Sequence, residues 1–308
     1  MATTARATNI DSKDWALLLL LSVLWGAAFF FAGVAVTELP PFTVVLSRVA
    51  IAACLLVPLH WLLQGRLPRG WARWWPFFVM GLINNVIPFS LVVTGQQWIA
   101  SGLASVINAT TPLFTALVMA AFGEERLLAR RVVGVGLGIA GVVVLSGQRL
   151  DADTCRVEGI VLCLGAALSY AFAGLWGRRR LLNVPPLTSA TCQLICSAAV
   201  MIVLAGSIDR PWTLPMPSLT LWATLFGFAV LSTALAYIVF FKILVRSGAS
   251  NVMLVTLLIP VTSISLGSLI LGEALVGREI AGAFIIASSL LVIDGRILSL
   301  LRRGSGEA

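Results

Sequence analysis

The chain has 308 residues, of which 59% are hydrophobic and 11% charged; soluble domains run at about 45–50% apolar and about 25% charged. That balance excludes a soluble globular protein and requires a lipid bilayer as partner. The formal charge of +8 sits in short clusters between apolar runs, not on a basic surface interleaved with aromatics, which excludes nucleic acid as a partner.

Apolar runs predict helices over about 15–37, 42–63, 74–95, 98–122, 130–147, 157–177, 187–206, 219–241, 248–271 and 279–298, each near the roughly 20 residues that a hydrocarbon core demands. The runs are continuous rather than alternating, so they read as helices and not as barrel strands. The first follows Arg6 and Lys13 and is too long for a signal-peptide core, so it reads as a retained span. Trp25 lies near its middle, whereas the other nine tryptophans sit at or near span ends as interface anchors.

The second helix opens on Pro40-Pro41 and carries Arg48, the one charge clearly within a span. A charge at the bilayer centre costs about 2.5–3.5 kcal/mol, so Arg48 should face protein or water. Two roles stay open for it: attraction of an anionic substrate group, or a structural role in which it snorkels outward or caps backbone carbonyls. The third helix holds Asn84, Asn85, Pro88 and Ser90. Two adjacent amides cannot both face lipid, and neighbours on a helix point about 100° apart, so one can face a cavity and the other a neighbouring helix. Asn108, Thr110 and Thr111 precede Pro112 in the fourth helix, and Thr256 precedes Pro260 by one turn in the ninth. A mid-helix proline removes a backbone hydrogen bond, and matched interruptions in two halves point to a midplane site. The expected site is therefore Trp25, Asn84, Asn85, Asn108, Thr111, Tyr170 and Thr256 as substrate-binding residues, with Pro88, Pro112 and Pro260 as helix breaks or gates and Arg48 as the intramembrane charge.

Chemistry of other kinds finds no residues. The five cysteines lack metal-ligand spacing, His60 is the sole histidine, and no Asp or Glu lies in mid-span. No cofactor, metal or enzyme activity is expected.

Lysines and arginines fix the expected orientation. With the N-terminus inside, sixteen fall in inner segments and only Arg149, Arg156, Arg210 and Arg278 in outer ones. That split predicts a multi-pass membrane protein with both termini cytoplasmic.

The chain also repeats itself. Pro40-Pro41-Phe42-Thr43 aligns with Pro185-Pro186-Leu187-Thr188, and the same shift sets Trp25 on Tyr170 and Arg48 on Gln193. With slight drift, Ser101-Gly102 meets Ser247-Gly248, Pro112 meets Pro260, and Gly123-Glu124 meets Gly272-Glu273. Five spans per half is an odd number, so the halves enter the membrane from opposite sides. The expected fold is an all-α integral membrane protein of ten transmembrane helices, built as two inverted five-helix repeats over residues 1–150 and 151–308.

These residues resemble the drug/metabolite transporter superfamily and its EamA-type ten-helix members. The likeness rests on Trp25-Gly26, on Pro41 with Arg48, and on Pro112-Leu113-Phe114 with Gly123-Glu124, Arg126, Gly134 and Ala140-Gly141-Val142. The second half repeats it as Pro260-Val261, Gly272-Glu273 and Gly282. Many members carry a lysine eight residues after the tryptophan, where this chain has Gly33. The resemblance implies a secondary transporter that exports small organic metabolites, such as amino acids or drug-like compounds, by alternating access, as a monomer or homodimer. The alternatives are a uniporter or channel-like facilitator and a membrane sensor that does not transport.

Overall fold

The computed structural model describes residues 11–125, 129–146, 154–247, 255–274 and 276–294. The predicted segment 248–254 of the ninth run, the end of the tenth, and Arg6, Arg126, Arg149, Arg296, Arg302 and Arg303 of the charge count lie outside these residues.

The described residues are helical. In chain order they form α1 (Ser12–Ala35), α2 (Pro41–Gln64), α3 (Trp71–Gly95), α4 (Ser101–Asn108 and Thr111–Ala121), α5 (Ala129–Ser146), α6 (Thr154–Arg180) and α7 (Pro186–Ile208). There follow α8 (Leu219–Ala229, Val230–Leu235 and Ala236–Ser247), α9 (Val255–Leu271) and α10 (Gly277–Asp294). Among the described residues, seven stretches are long and apolar enough to cross a bilayer: Ser12–Ala35, Pro41–Gln64, Trp71–Gly95, Ser101–Ala121, Val157–Arg180, Pro186–Ile208 and Leu219–Phe240. Val132–Val144 and Leu258–Leu271 are shorter apolar helices within α5 and α9.

Helix starts follow their sequence. Pro41 and Pro186 open α2 and α7, where a missing N–H costs nothing and the fixed φ suits the first turn. Asp209, just past α7, accepts from Thr43 N at 2.7 Å and Thr43 Oγ1 at 2.9 Å, satisfying a free donor of α2. At the opposite end of the same pair, Thr188 Oγ1 donates to Gln64 Oε1 and lies 3.0 Å from His60 Nε2.

Packing pairs the helices across the two halves. α2 lies along α7, α5 along α10 and α4 against α9. α1 packs on α8 and α9, and α6 packs on α3 and α4; α2 touches α8, as α7 touches α3. Adding five to each label maps this set of pairs onto itself. Glycines allow the closest approaches. A Cβ at Gly81 would lie 2.8 Å from the Gln193 carbonyl oxygen, so α3 meets α7 backbone to backbone, and one at Gly141 would lie 2.8 Å from Ile286 on α10.

Two helices carry a π turn, Leu82–Val86 in α3 and Val230–Leu235 in α8. The extra residue loosens the i→i−4 ladder at these turns and re-aims side chains. In α3 the Ile83 carbonyl accepts from Ser169 Oγ of α6 at 2.7 Å; in α8 the Phe228 carbonyl accepts from Thr233 Oγ1 at 3.3 Å.

α4 is interrupted between Asn108 and Thr111. Pro112 has no N–H to give the Asn108 carbonyl, and Thr111 Oγ1 donates to that oxygen at 2.7 Å instead. Thr110 Oγ1 likewise donates to the Ile107 carbonyl at 2.6 Å. Pro260 behaves differently. The expected matching break is absent among the described residues, because α9 continues through Pro260 from Val255 to Leu271. A bilayer helix tolerates one lost donor where neighbours re-satisfy the freed carbonyl.

Candidate functional site

The inner faces of α1, α2, α3, α4, α6, α7, α8 and α9 enclose a cavity of about 360 Å³. Trp25, Arg48, Asn84, Asn108, Thr111, Tyr170 and Thr256 line it. Each of the two chain halves supplies part of the wall.

Arg48 is 8% exposed. Its guanidinium carbon sits 3.6 Å from the ring centre of Phe89 on α3 and 4.3 Å from that of Phe228 on α8. Planar guanidinium stacks on aromatic faces, and both rings pack against the cation. Arg48 Nε donates to Thr233 Oγ1 at 2.9 Å, within the π turn of α8. Among the described residues no carboxylate pairs with Arg48.

The repeat mate of Arg48 takes part in a parallel contact. Gln193 Oε1 accepts from Asn84 Nδ2 at 3.0 Å, and Asn84 lies in the π turn of α3. Each second helix of a half therefore reaches into the π turn of the opposite half.

The adjacent amides part company. Asn84 is half-buried and lines the cavity. Asn85 is fully buried and, unlike Asn84, is not among the residues that line the cavity. Its Nδ2 donates to Ser197 Oγ on α7 at 3.0 Å, and its Oδ1 accepts from the Tyr237 hydroxyl at 3.3 Å. The π turn puts these two neighbours on different surfaces of α3.

Trp25 packs against Phe240 with ring centres 5.5 Å apart and planes tilted by 40°, and the two form an apolar part of the wall. Two buried acceptor atoms on the wall, Asn108 Oδ1 and Ser232 Oγ, have no partner among the described residues. A buried polar group without a partner is costly, and both atoms belong to residues on the cavity wall. Pro88 is buried just after the α3 π turn, and Pro112 flanks the α4 break; neither is among the residues lining the cavity.

The wall also holds residues that sequence reasoning undervalued or missed: Phe89, Phe228, Gln193, Ser105, Ser232 and Tyr237. Gln193 was visible as the residue that aligns with Arg48 in the internal repeat. Phe89 follows Asn84 by five residues, a spacing that shares a face only across a π turn.

Carboxylates lie at the two ends of the bundle. At the end where α4 begins, Glu273 accepts from Ser101 N at 2.9 Å and Ser101 Oγ at 2.7 Å. Gly272 has φ 68°, a left-handed turn that closes α9 and delivers this carboxylate to the α4 N-terminus. At the other end Gly123, with φ 72°, closes α4, and the following Glu124 meets Arg179 at 2.6 Å and Arg178 at 3.5 Å. Asp14 meets Arg246 there at 2.9 Å.

Comparison with known proteins agrees with this architecture. The chain matches the EamA-like transporter family over residues 14–147 and again over 157–294. It is 26% identical to an uncharacterized transporter of Archaeoglobus fulgidus, covering 91% of this chain and 98% of that protein. It is 27% identical to a probable amino-acid metabolite efflux pump of Escherichia coli, covering 92% and 95%. The uncharacterized inner membrane transporter YedA of Escherichia coli is 29% identical over 72% of each chain. A solved crystal structure of a protein 21% identical superposes with a TM-score of 0.64 over 96% of this chain and 99% of its own, a likeness of fold. The chain therefore belongs to the EamA-like transporter family and is a multi-pass membrane protein of that transporter type.

Proposed function

We propose that this protein is a secondary transporter that exports small organic metabolites, amino acids or related carboxylates among them, across the cell inner membrane. In this reading ten helices span the bilayer as two oppositely inserted repeats, residues 1–150 and 151–308, with both termini cytoplasmic. The halves rock about the cavity to open it to each side in turn. The pairing of helices that maps onto itself, and the two separate family matches, support the repeat.

The observation that carries the reading is the Arg48 pocket. A guanidinium bonded to Thr233 and packed on two rings stands in a cavity whose lining includes no Asp or Glu among the described residues. A carboxylate suits that cation. Asn108 Oδ1 and Ser232 Oγ offer acceptors for an ammonium or hydroxyl on the same molecule, and Trp25 and Phe240 suit an apolar body. The likeness to the probable amino-acid metabolite efflux pump of Escherichia coli supports the outward direction.

Counterflow in proteoliposomes tests it. Vesicles loaded with an unlabelled amino acid should accelerate entry of the labelled one. Flux that ignores the solute on the far side marks a channel-like facilitator, and no flux for any amino acid or organic acid removes the carrier assignment.

A further inference from the structure

A second cavity of about 600 Å³ lies between α4, α9 and α10, and its lining is almost all carbon. Val261, Ile280 and Phe284 at its lip are 63%, 44% and 70% exposed, as expected of side chains that meet acyl chains rather than water. Thr256, Ser268 and Glu273 are the polar residues on its wall.

This groove adjoins the central cavity. Ala109 and Thr256 line both spaces, so the partition at that point is made of two small side chains. Ala109 also sits in the interruption of α4, where no continuous helix stiffens the wall. A lipid-facing groove, a thin partition and a break in that partition thus coincide.

We infer that the groove is a lateral port for amphipathic carboxylates: the apolar tail lies between α9 and α10 while the head passes between Ala109 and Thr256 into the cavity lined by Arg48. This deepens the proposed function and rests on its central site. The groove supplies apolar surface for a chain, and the cavity beyond supplies the cation and the polar acceptors for a head group. Substrates of this kind partition into the bilayer, so passage between the cavity and lipid matches where they reside.

Photolabelling of the full-length protein in phosphatidylcholine vesicles tests the port. The lipid-side probe is dodecanoic acid with a mid-chain diazirine; the water-side probe is a benzophenone-bearing phenylalanine. The fatty acid should label Val261 and Phe284 in the groove and Trp25 or Phe240 in the cavity. Ala287→Trp, which fills the groove from α10, should lower the cavity adducts of the fatty acid about tenfold and spare labelling by the water-side probe. Ala283→Leu provides a milder filling in case the tryptophan variant fails to fold. Cavity labelling by the fatty acid that ignores both substitutions overturns the port and leaves the central site standing. So does groove labelling by a diazirine phosphatidylcholine that equals that of the fatty acid while the cavity stays unlabelled, which makes the groove a contact with bulk lipid. A cavity that neither probe labels overturns the port and the central site together.

Discussion

Arg48 and Thr233 lie 185 residues apart and are joined by a 2.9 Å hydrogen bond across the interface of the two chain halves. The bond ties a cation of α2 to the π turn of α8, and the stacking rings of Phe89 and Phe228 hold the guanidinium in place. Lysine cannot reproduce this. It lacks the planar face and the Nε donor. Arg48→Lys is expected to lower carboxylate transport by about 10–100-fold, the range implied by roughly 1.5–3 kcal/mol for a hydrogen bond to a charged group. Arg48→Met should abolish preference for carboxylates over neutral solutes while the protein remains folded. Competition assays in proteoliposomes, alongside thermal unfolding in detergent, separate the two effects.

Asn84 and Asn85 should fail in different ways. Asn85→Ala removes two buried hydrogen bonds, to Ser197 and from the Tyr237 hydroxyl, a loss of about 1–3 kcal/mol, and should lower Tm without changing the substrate concentration needed for half-maximal transport. Asn84→Ala removes a cavity-facing amide as well as its bond to Gln193, and should raise that concentration in addition to any loss in Tm. An unchanged half-maximal concentration in the Asn84 variant would refute this division of roles.

The α4 interruption gives a third expectation. Pro112→Ala restores an N–H that can bond to the Asn108 carbonyl and compete with Thr111 Oγ1. The helix should become continuous, raising stability by about 1 kcal/mol or more and slowing turnover several-fold. Unfolding and initial transport rates measured on the same preparation test whether the two move in opposite directions.

Glu273 offers a fourth. Its carboxylate holds the start of α4 to the end of α9, and a glutamine weakens a charge-assisted contact of about 1.5–3 kcal/mol. Glu273→Gln is expected to loosen that end of the bundle. A cysteine at Ser105, which lines the cavity, should then react several-fold faster with a membrane-impermeant maleimide added from the α4-start side. An unchanged rate argues that the capping bond does not hold the two helices together.

Much of the architecture is legible in the amino-acid order because lipid imposes a simple rule: long apolar runs become helices. The α4 break is legible too, since Pro112 follows two threonines that can replace its missing donor. The π turns are not. Leu82–Val86 and Val230–Leu235 have no distinctive composition, and only their pairing across the halves and their partners reveal them. Without them the sequence cannot tell which of Asn84 and Asn85 faces inward, nor that Phe89 and Phe228 flank Arg48. Pro260 misleads for a related reason: whether a proline breaks a helix depends on neighbours that satisfy its carbonyl, and those neighbours are distant in sequence.

The two threonines beside Pro112 have a mechanical consequence. An amide donor is fixed by the peptide plane, but a hydroxyl rotates about its own bond and can follow a carbonyl as it tilts. The joint at Asn108 can therefore swivel while its oxygen keeps a partner at every angle, and the membrane segment flexes there without exposing bare backbone to hydrocarbon.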